Sequence, residues 1–423
     1  MRSISIAWVG RLTGPKGELA YRIVKDVAPH FPDAAFTMVG EPITQEFRDA
    51  APVNVSLRGF VDDVDALIRE HDLVIGAGQV ALEVMRARVP VIAVGECVYV
   101  GPVTGATIAQ AKATNFGDCA SPPNVDIDRL VADLRLILAG EKEVPVERYA
   151  DYLQEYDAEQ VYANVMRIYQ QAEIDAYLGR FSEIPVLVYH RVVETPPTNS
   201  RFNIFVTQAD LRWQLGALKK RGFQAVTFRD ILNGARPPKP VMLTFDDGYE
   251  DNLEKLLPLL DEHDAKAVVF VLGDRTMTNN AWDMAQGEPE ARLMNDTQVR
   301  ACHTSGRIEI GSHGLLHRRF PKLEAVEVER EVVDSKHVLE DLISDEVVSF
   351  AYPYGEYGQR EVAAVRNAGY RFGIGTSNGP MRMIDDLYRI RRIPIFARTS
   401  RAAFWKKTSG YYLRYCRLKR KDF

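Results

Sequence analysis

Short apolar runs that end at a glycine or a turn, each followed by a stretch of helical periodicity, recur along most of this chain. Residues 5–9 (SIAWV) close on Gly10, and Leu19, Ile23, Val24 and Val27 follow at helical spacing. FTMVG (36–40), DLVIG (72–76) and VPVIAVG (89–95) repeat the pattern, with helical stretches at 65–71 and 80–87. Strands covered on both faces read as near-continuous apolar runs, and alternation with helices marks a parallel sheet. Residues 125–178 read as charged helices with Leu130, Val131, Leu134 and Leu138 on one stripe. A second series begins with IPVLVYH (184–190). It continues through QAVTF (224–228), PVMLTF (240–245), KAVVFV (266–271), RIEIGS (307–312), VVSFAYP (347–353) and YRFGIGT (370–376). The predicted fold class is therefore α/β, with a Rossmann-like parallel sheet in a first domain (1–178). A distorted (β/α) barrel forms the second domain (183–400), the boundary lies near 180, and 401–423 is a tail.

Composition narrows the function classes. The length of 423 residues suits about two to three domains, and 46% hydrophobic residues exclude a disordered chain. A formal net charge of −5 excludes a globally basic nucleic-acid binder. No run approaches the ~18 apolar residues of a membrane span, and the opening MRSISIAWVGR has no apolar signal core. The four cysteines (Cys97, Cys119, Cys302, Cys416) are widely spaced, which argues against a disulfide framework or a cysteine zinc site. A cytoplasmic protein is expected. Residues 398–423 carry nine Lys/Arg against one Asp, interleaved with Phe404, Trp405, Tyr411, Tyr412 and Tyr415. Two readings stand: peripheral contact with the inner, anionic membrane face, or helices docked on the acidic body of the same protein.

Four polar constellations each close a strand of the second series: LTFDDG (243–248), IGSHGLLHRRF (310–320), FAYPYG (350–355) and VLVYH (186–190). Alone, each reads as an ordinary turn or a strand-end histidine. In a parallel barrel, however, the C-terminal strand ends share one rim, where barrel active sites sit. One carboxylate and two histidines four residues apart supply three ligands and leave a position open, the layout of a catalytic zinc site. A second carboxylate and a third histidine remain for base and acid.

With these motifs in this order, residues 184–400 resemble the NodB-homology polysaccharide deacetylases, carbohydrate esterase family 4. TFDDG resembles the first motif of that family, SHGLLH the second and the YPYG stretch the third. The resemblance implies Asp246 as general base and Asp247, His313 and His317 as ligands of a divalent metal, with Zn²⁺ expected. Many members carry the catalytic acid on a late histidine. Here the last one is His337, and VLVYHRV resembles the permuted members, so the acid role passes to His190. FAYPYG lacks the arginine that usually opens the third motif, and Arg392 in RRIPI is the residue expected to restrain Asp246 instead. The backbone N–H of Tyr354 is the expected oxyanion donor.

Residues 1–178 resemble the nucleotide-sugar-binding half of a GT-B glycosyltransferase. VGRLTGPKGELAYRI (9–23) implies that Arg11 and Lys16 face a diphosphate, and the segment 71–96 implies that Glu83 contacts a ribose. Ile75 stands where the first glutamate of the E-x7-E motif would be, and no acceptor-binding half is expected beside it. The leading expectation is a metal-dependent hydrolase that removes N-acetyl groups from an amino sugar in a glycan or lipid-linked saccharide. The alternatives are a glycosyltransferase or nucleotide-sugar-binding subunit with an accessory deacetylase domain, and a glycan-binding protein without activity.

Overall fold

The computed structural model describes residues 3–120, 123–376 and 379–418. The chain divides into two compact units between Met166 and Arg167, inside the helix Ala158–Leu178. This is earlier than the boundary expected near 180. Ile174, Tyr177 and Leu178 explain the difference, because their side chains lie in a core of the second unit.

The first unit holds β1 (Ser5–Val9), β2 (Ala35–Val39), β3 (Val55–Arg58), β4 (Leu73–Gly76), β5 (Val91–Val94) and β6 (Tyr99–Pro102). Their order is β3-β2-β1-β4-β5-β6, parallel except for the antiparallel β5–β6 pair. Successive strand residues point to opposite faces, and two cores result. Ile6, Trp8, Leu73, Ile75, Ile92 and Val94 enter one, while Ala7, Val9, Val74, Val91 and Ala93 enter the other. Both faces are covered, so these strands carry no polar alternation. The order reverses between β1 and β4, as in doubly wound sheets.

The second unit contains β7 (Val186–Tyr189), β8 (Arg191–Val193), β9 (Phe205–Thr207), β10 (Gln224–Ala225), β11 (Pro240–Phe245), β12 (Ala267–Val271), β13 (Ile308–Ser312), β14 (Ser349–Ala351), β15 (Phe372–Ile374) and β16 (Ile393–Pro394). Eight of them form one parallel sheet, ordered β15-β14-β13-β12-β11-β7-β16, with β10 beside β11. Its two ends meet at the parallel bridge of Ile374 with Ile390, where the Gly375 N–H donates to the Ile390 carbonyl and the Ile390 N–H to the Gly373 carbonyl (both 2.9 Å). The sheet is therefore a curled barrel closed by a short seam. Val186, Met242, Val268 and Phe270 fill an inner core, and their neighbours Leu187, Leu243 and Val269 pack under the helices. The strand expected over 224–228 stops at Ala225, because Thr227 and Asp230 form a capping box that starts the helix Phe228–Leu232.

The stretch set apart as a tail belongs to the second unit. Phe404, Tyr412, Leu413 and Cys416, on the helices Arg401–Lys407 and Tyr412–Leu418, are buried in its larger core. Arg221 donates to the carbonyl of Thr408 (2.7 Å) and stacks on Trp405, with its guanidinium 4.6 Å from the ring centroid. Residues 419–423 lie outside the described residues. Much of the apolar surface that a membrane would take up is thus committed to the protein interior. Among the described residues, no helix is long and apolar enough to cross a membrane.

Candidate active site

Adjacent strand residues diverge, so Asp246 and Asp247 can serve one site only if the strand ends between them. Asp246 still extends the ladder, its N–H donating to the Tyr189 carbonyl at 3.0 Å. Asp247 then takes a left-handed conformation (φ 73°), as does Gly248 (φ 70°). That conformation is costly for a residue with a Cβ, and it persists where the surroundings over-determine it. A Cβ on Gly248 would come within 3.2 Å of Val271 on a left-handed backbone, so a larger residue would be strained at this turn.

Asp246 is buried and held at both oxygens. Arg392 donates from Nη1 to Oδ1 (2.6 Å) and from Nη2 to Oδ2 (2.8 Å), and it donates further to the Gly375 carbonyl (2.7 Å) and Thr244 Oγ1 (3.2 Å). Arg392 is itself only 1% exposed. Burial alone would raise the Asp246 carboxyl, but the guanidinium and the nearby imidazoles hold it below its ordinary value.

His313 and His317 leave β13 in a loop rather than a helix, with Gly314 (φ 81°) and His317 (φ 55°) both left-handed. Buried Glu331 fixes that loop, accepting the N–H groups of Leu315 (2.8 Å) and Leu316 (2.9 Å). The Nε2 atoms of both histidines lie 3.3 Å from Asp247 Oδ1. His313 Nδ1 pairs with the Ala351 carbonyl at 2.8 Å, which fixes the proton on Nδ1 and leaves the Nε2 lone pair facing Asp247. Among the described residues, Asp247 Oδ1 is buried with no hydrogen bond, facing these imidazole nitrogens.

The ligand atoms of these three residues all lie within 4.8 Å of one another. Converging lone pairs of one carboxylate and two imidazoles, in the dark of the protein, fit a divalent cation. Burial opposes ionisation of Asp247, yet the two imidazoles hold its carboxyl well below the usual range. Burial also lowers His317, whereas Asp246 and Asp247 raise His313 above its ordinary value.

These groups line a cleft of roughly 370 Å³ with His190, Tyr354, Asp283 and Arg319. His190 follows β7, its carbonyl accepts from Asn252 Nδ2 (3.0 Å), and among the described residues its buried Nδ1 has no partner. Tyr354 has a left-handed backbone (φ 59°), and its ring lies 4.6 Å from that of His317. Trp282 stacks on His317 with its ring centroid at 4.4 Å. Phe202, Ile204 and Phe396 supply apolar surface to the same cleft. Sequence reasoning missed Trp282, Asp283, Arg319 and the Phe202–Ile204 segment. Trp282 and Asp283 lie within TNNAWDM (278–284), a segment that follows no apolar strand run.

In the first unit, the residues expected to face a nucleotide are placed as follows. Lys16 donates to Asp118 Oδ2 at 2.6 Å, and Glu83 accepts from Gln79 Nε2 at 3.2 Å. Arg11 is exposed in the turn after β1.

Comparison with known proteins bears on the second unit. Residues 233–373 match the family model described as polysaccharide deacetylase. A Bacillus subtilis (strain 168) protein, YxkH, provisionally described as a polysaccharide deacetylase, is 24% identical over 228 residues, covering 53% of this chain and 75% of its own. The poly-beta-1,6-N-acetyl-D-glucosamine N-deacetylase of Staphylococcus epidermidis is 21% identical over 229 residues, covering 49% of this chain and 77% of its own. Among solved structures, the Streptococcus pyogenes deacetylase PplD in complex with acetate aligns with a TM-score of 0.46 at 24% identity, over 53% of this chain and 98% of that one. Asp246, Asp247, His313, His317 and Tyr354 lie inside the matched span, and His190 and Arg392 lie outside it. Residues 233–373 are thus similar to polysaccharide deacetylases.

Proposed function

We propose that this protein hydrolyses N-acetyl groups from an amino sugar in a glycan, with a divalent cation held by Asp247, His313 and His317. The observation that carries the reading is the pairing of that buried ligand cluster with a second carboxylate, Asp246, that is kept out of it by Arg392. The Staphylococcus epidermidis relative is named for N-deacetylation of a glucosamine polymer, which supports the choice of an acetamido sugar. One carboxylate and two imidazoles suit Zn²⁺.

When bound, such a cation supplies Lewis acidity toward a carbonyl oxygen and toward water. Asp246 accepts the proton of the attacking water; its bidentate pairing with Arg392 keeps the carboxylate ionised and fixed in orientation. Negative charge then develops on the acetyl oxygen, and the backbone N–H of Tyr354 is the protein donor assigned to it. The departing amine needs a proton, and His190 supplies it from a ring whose Nδ1 has no partner among the described residues. The test is acetate release from N-acetylglucosamine oligosaccharides. Activity is expected to vanish with a chelator and to return on adding Zn²⁺ or another divalent ion. Acetate release that survives exhaustive chelation, with no metal remaining on the protein, would overturn the reading.

A further inference from the structure

The cleft contains a carboxyl group that the proposed chemistry does not use. Asp283 sits on the short helix Ala281–Met284, lines the cleft and is 7% exposed. Among the described residues no cation pairs with it, and the groups that act on it are Trp282 and two further carboxyls, Asp247 and Glu288. Burial, with the charges of Asp247 and Glu288, pushes its pKa up to about 7. A buried carboxyl among like charges is costly unless donors reach it.

Its position is fixed rather than incidental. Asn280 staples the segment, donating to the Pro289 carbonyl (3.1 Å) and accepting from the Ala291 N–H (2.8 Å). Glu288 straps a second segment to the first, accepting from Ser200 Oγ (2.6 Å), the Arg201 N–H (2.7 Å) and the Phe202 N–H (3.0 Å). The strap holds Phe202 on the same cleft as Asp283, together with Phe396. An acceptor group that shares a cleft with aromatic rings matches a pyranose, which offers O–H donors at its edge and C–H groups on its faces.

Resting on the deacetylase reading, the geometry points to Asp283 as a specificity-determining residue that accepts hydrogen bonds from saccharide hydroxyls, with Phe202 and Phe396 packing against the ring. Hydrolysis is compared for a tetrasaccharide of N-acetylglucosamine and for p-nitrophenyl acetate, which has no sugar hydroxyl, and tetrasaccharide binding is measured by calorimetry. Asp283→Ala is expected to lower the ratio of tetrasaccharide to ester kcat/KM by about 10- to 100-fold, chiefly through KM, as loss of a hydrogen bond to a charged group implies. Asp283→Asn, which keeps an acceptor oxygen, is expected to recover part of that loss. An unchanged ratio overturns the proposal, whether both activities persist or both fall in parallel. So does a wild-type protein that hydrolyses the ester but neither cleaves nor binds the tetrasaccharide, and in that case the hydrolase reading survives. Failure on both substrates overturns the deacetylase reading itself.

Discussion

Replacing Arg392 by Met deletes a buried guanidinium that donates four hydrogen bonds, two of them to Asp246. The methionine fills much of the stem's volume but leaves the carboxylate buried and unpaired. Breaking one side of a buried ion pair costs about 3–5 kcal/mol. At roughly 2–4 °C per kcal/mol for a domain of this size, the melting temperature of the second unit should fall by about 6–20 °C. The pH dependence follows with a definite sign. In the native protein the Asp246 carboxyl is depressed, so its pairing stabilises the fold above the ordinary carboxylate pKa of ~3.9 and is lost as pH falls through the lower folded value. Without Arg392 the desolvation of Asp246 is opposed only by imidazoles such as His313 and His190, and its pKa rises. The acidic limb of kcat/KM for acetate release should therefore move to higher pH. Adding Asp246→Leu to Arg392→Met removes both charges and should restore much of the lost stability without restoring activity. Thermal denaturation and a pH–rate profile check both parts. A variant that melts within a degree or two of the wild type and keeps its acidic limb would refute the assignment of Arg392 as the group that holds Asp246 ionised.

Asp246→Asn should abolish turnover while metal analysis still finds one ion per chain, because Asp246 lies outside the Asp247–His313–His317 cluster. The double change His313→Ala with His317→Ala should eliminate that ion, as measured by elemental analysis after dialysis; a retained stoichiometric ion would place the metal elsewhere. Acidification should release the metal as protons compete for the imidazoles, and titration calorimetry from pH 8 to pH 5 should record weakening affinity with proton release on binding. Phe404→Ala should cost about 3–5 kcal/mol by opening a cavity under a fully buried ring; a shift below about 1 kcal/mol in denaturant unfolding would contradict the placement of its helix in the core.

The parallel sheets were legible because strands covered on both faces must be apolar throughout, and β1, β4, β11 and β12 are so covered. The site motifs were legible because each directly follows or interrupts such a run. What escaped notice had no such marker. Phe202 and Asp283 sit on irregular segments whose positions are set by the Glu288 strap, and no periodicity in the chain announces a carboxylate that accepts backbone N–H groups more than eighty positions away. The role of 401–418 was undecided for a related reason. Phe404 and Trp405 are adjacent in sequence, yet one is fully buried and the other about half exposed, and only the partner surface distinguishes them. The boundary at Met166 was hidden inside one uninterrupted helical pattern.

The strand that opens the second unit has a consequence for how that unit assembles. β7 pairs on one side with residues 242–245 of β11 and on the other with 393–394 of β16. Its second ladder joins segments about two hundred positions apart, and such distant pairings slow the search for the native state. During synthesis, residues 186–189 must wait until 393–394 have left the ribosome before one flank of His190 is in place, so this site is expected to be among the last parts of the unit to mature.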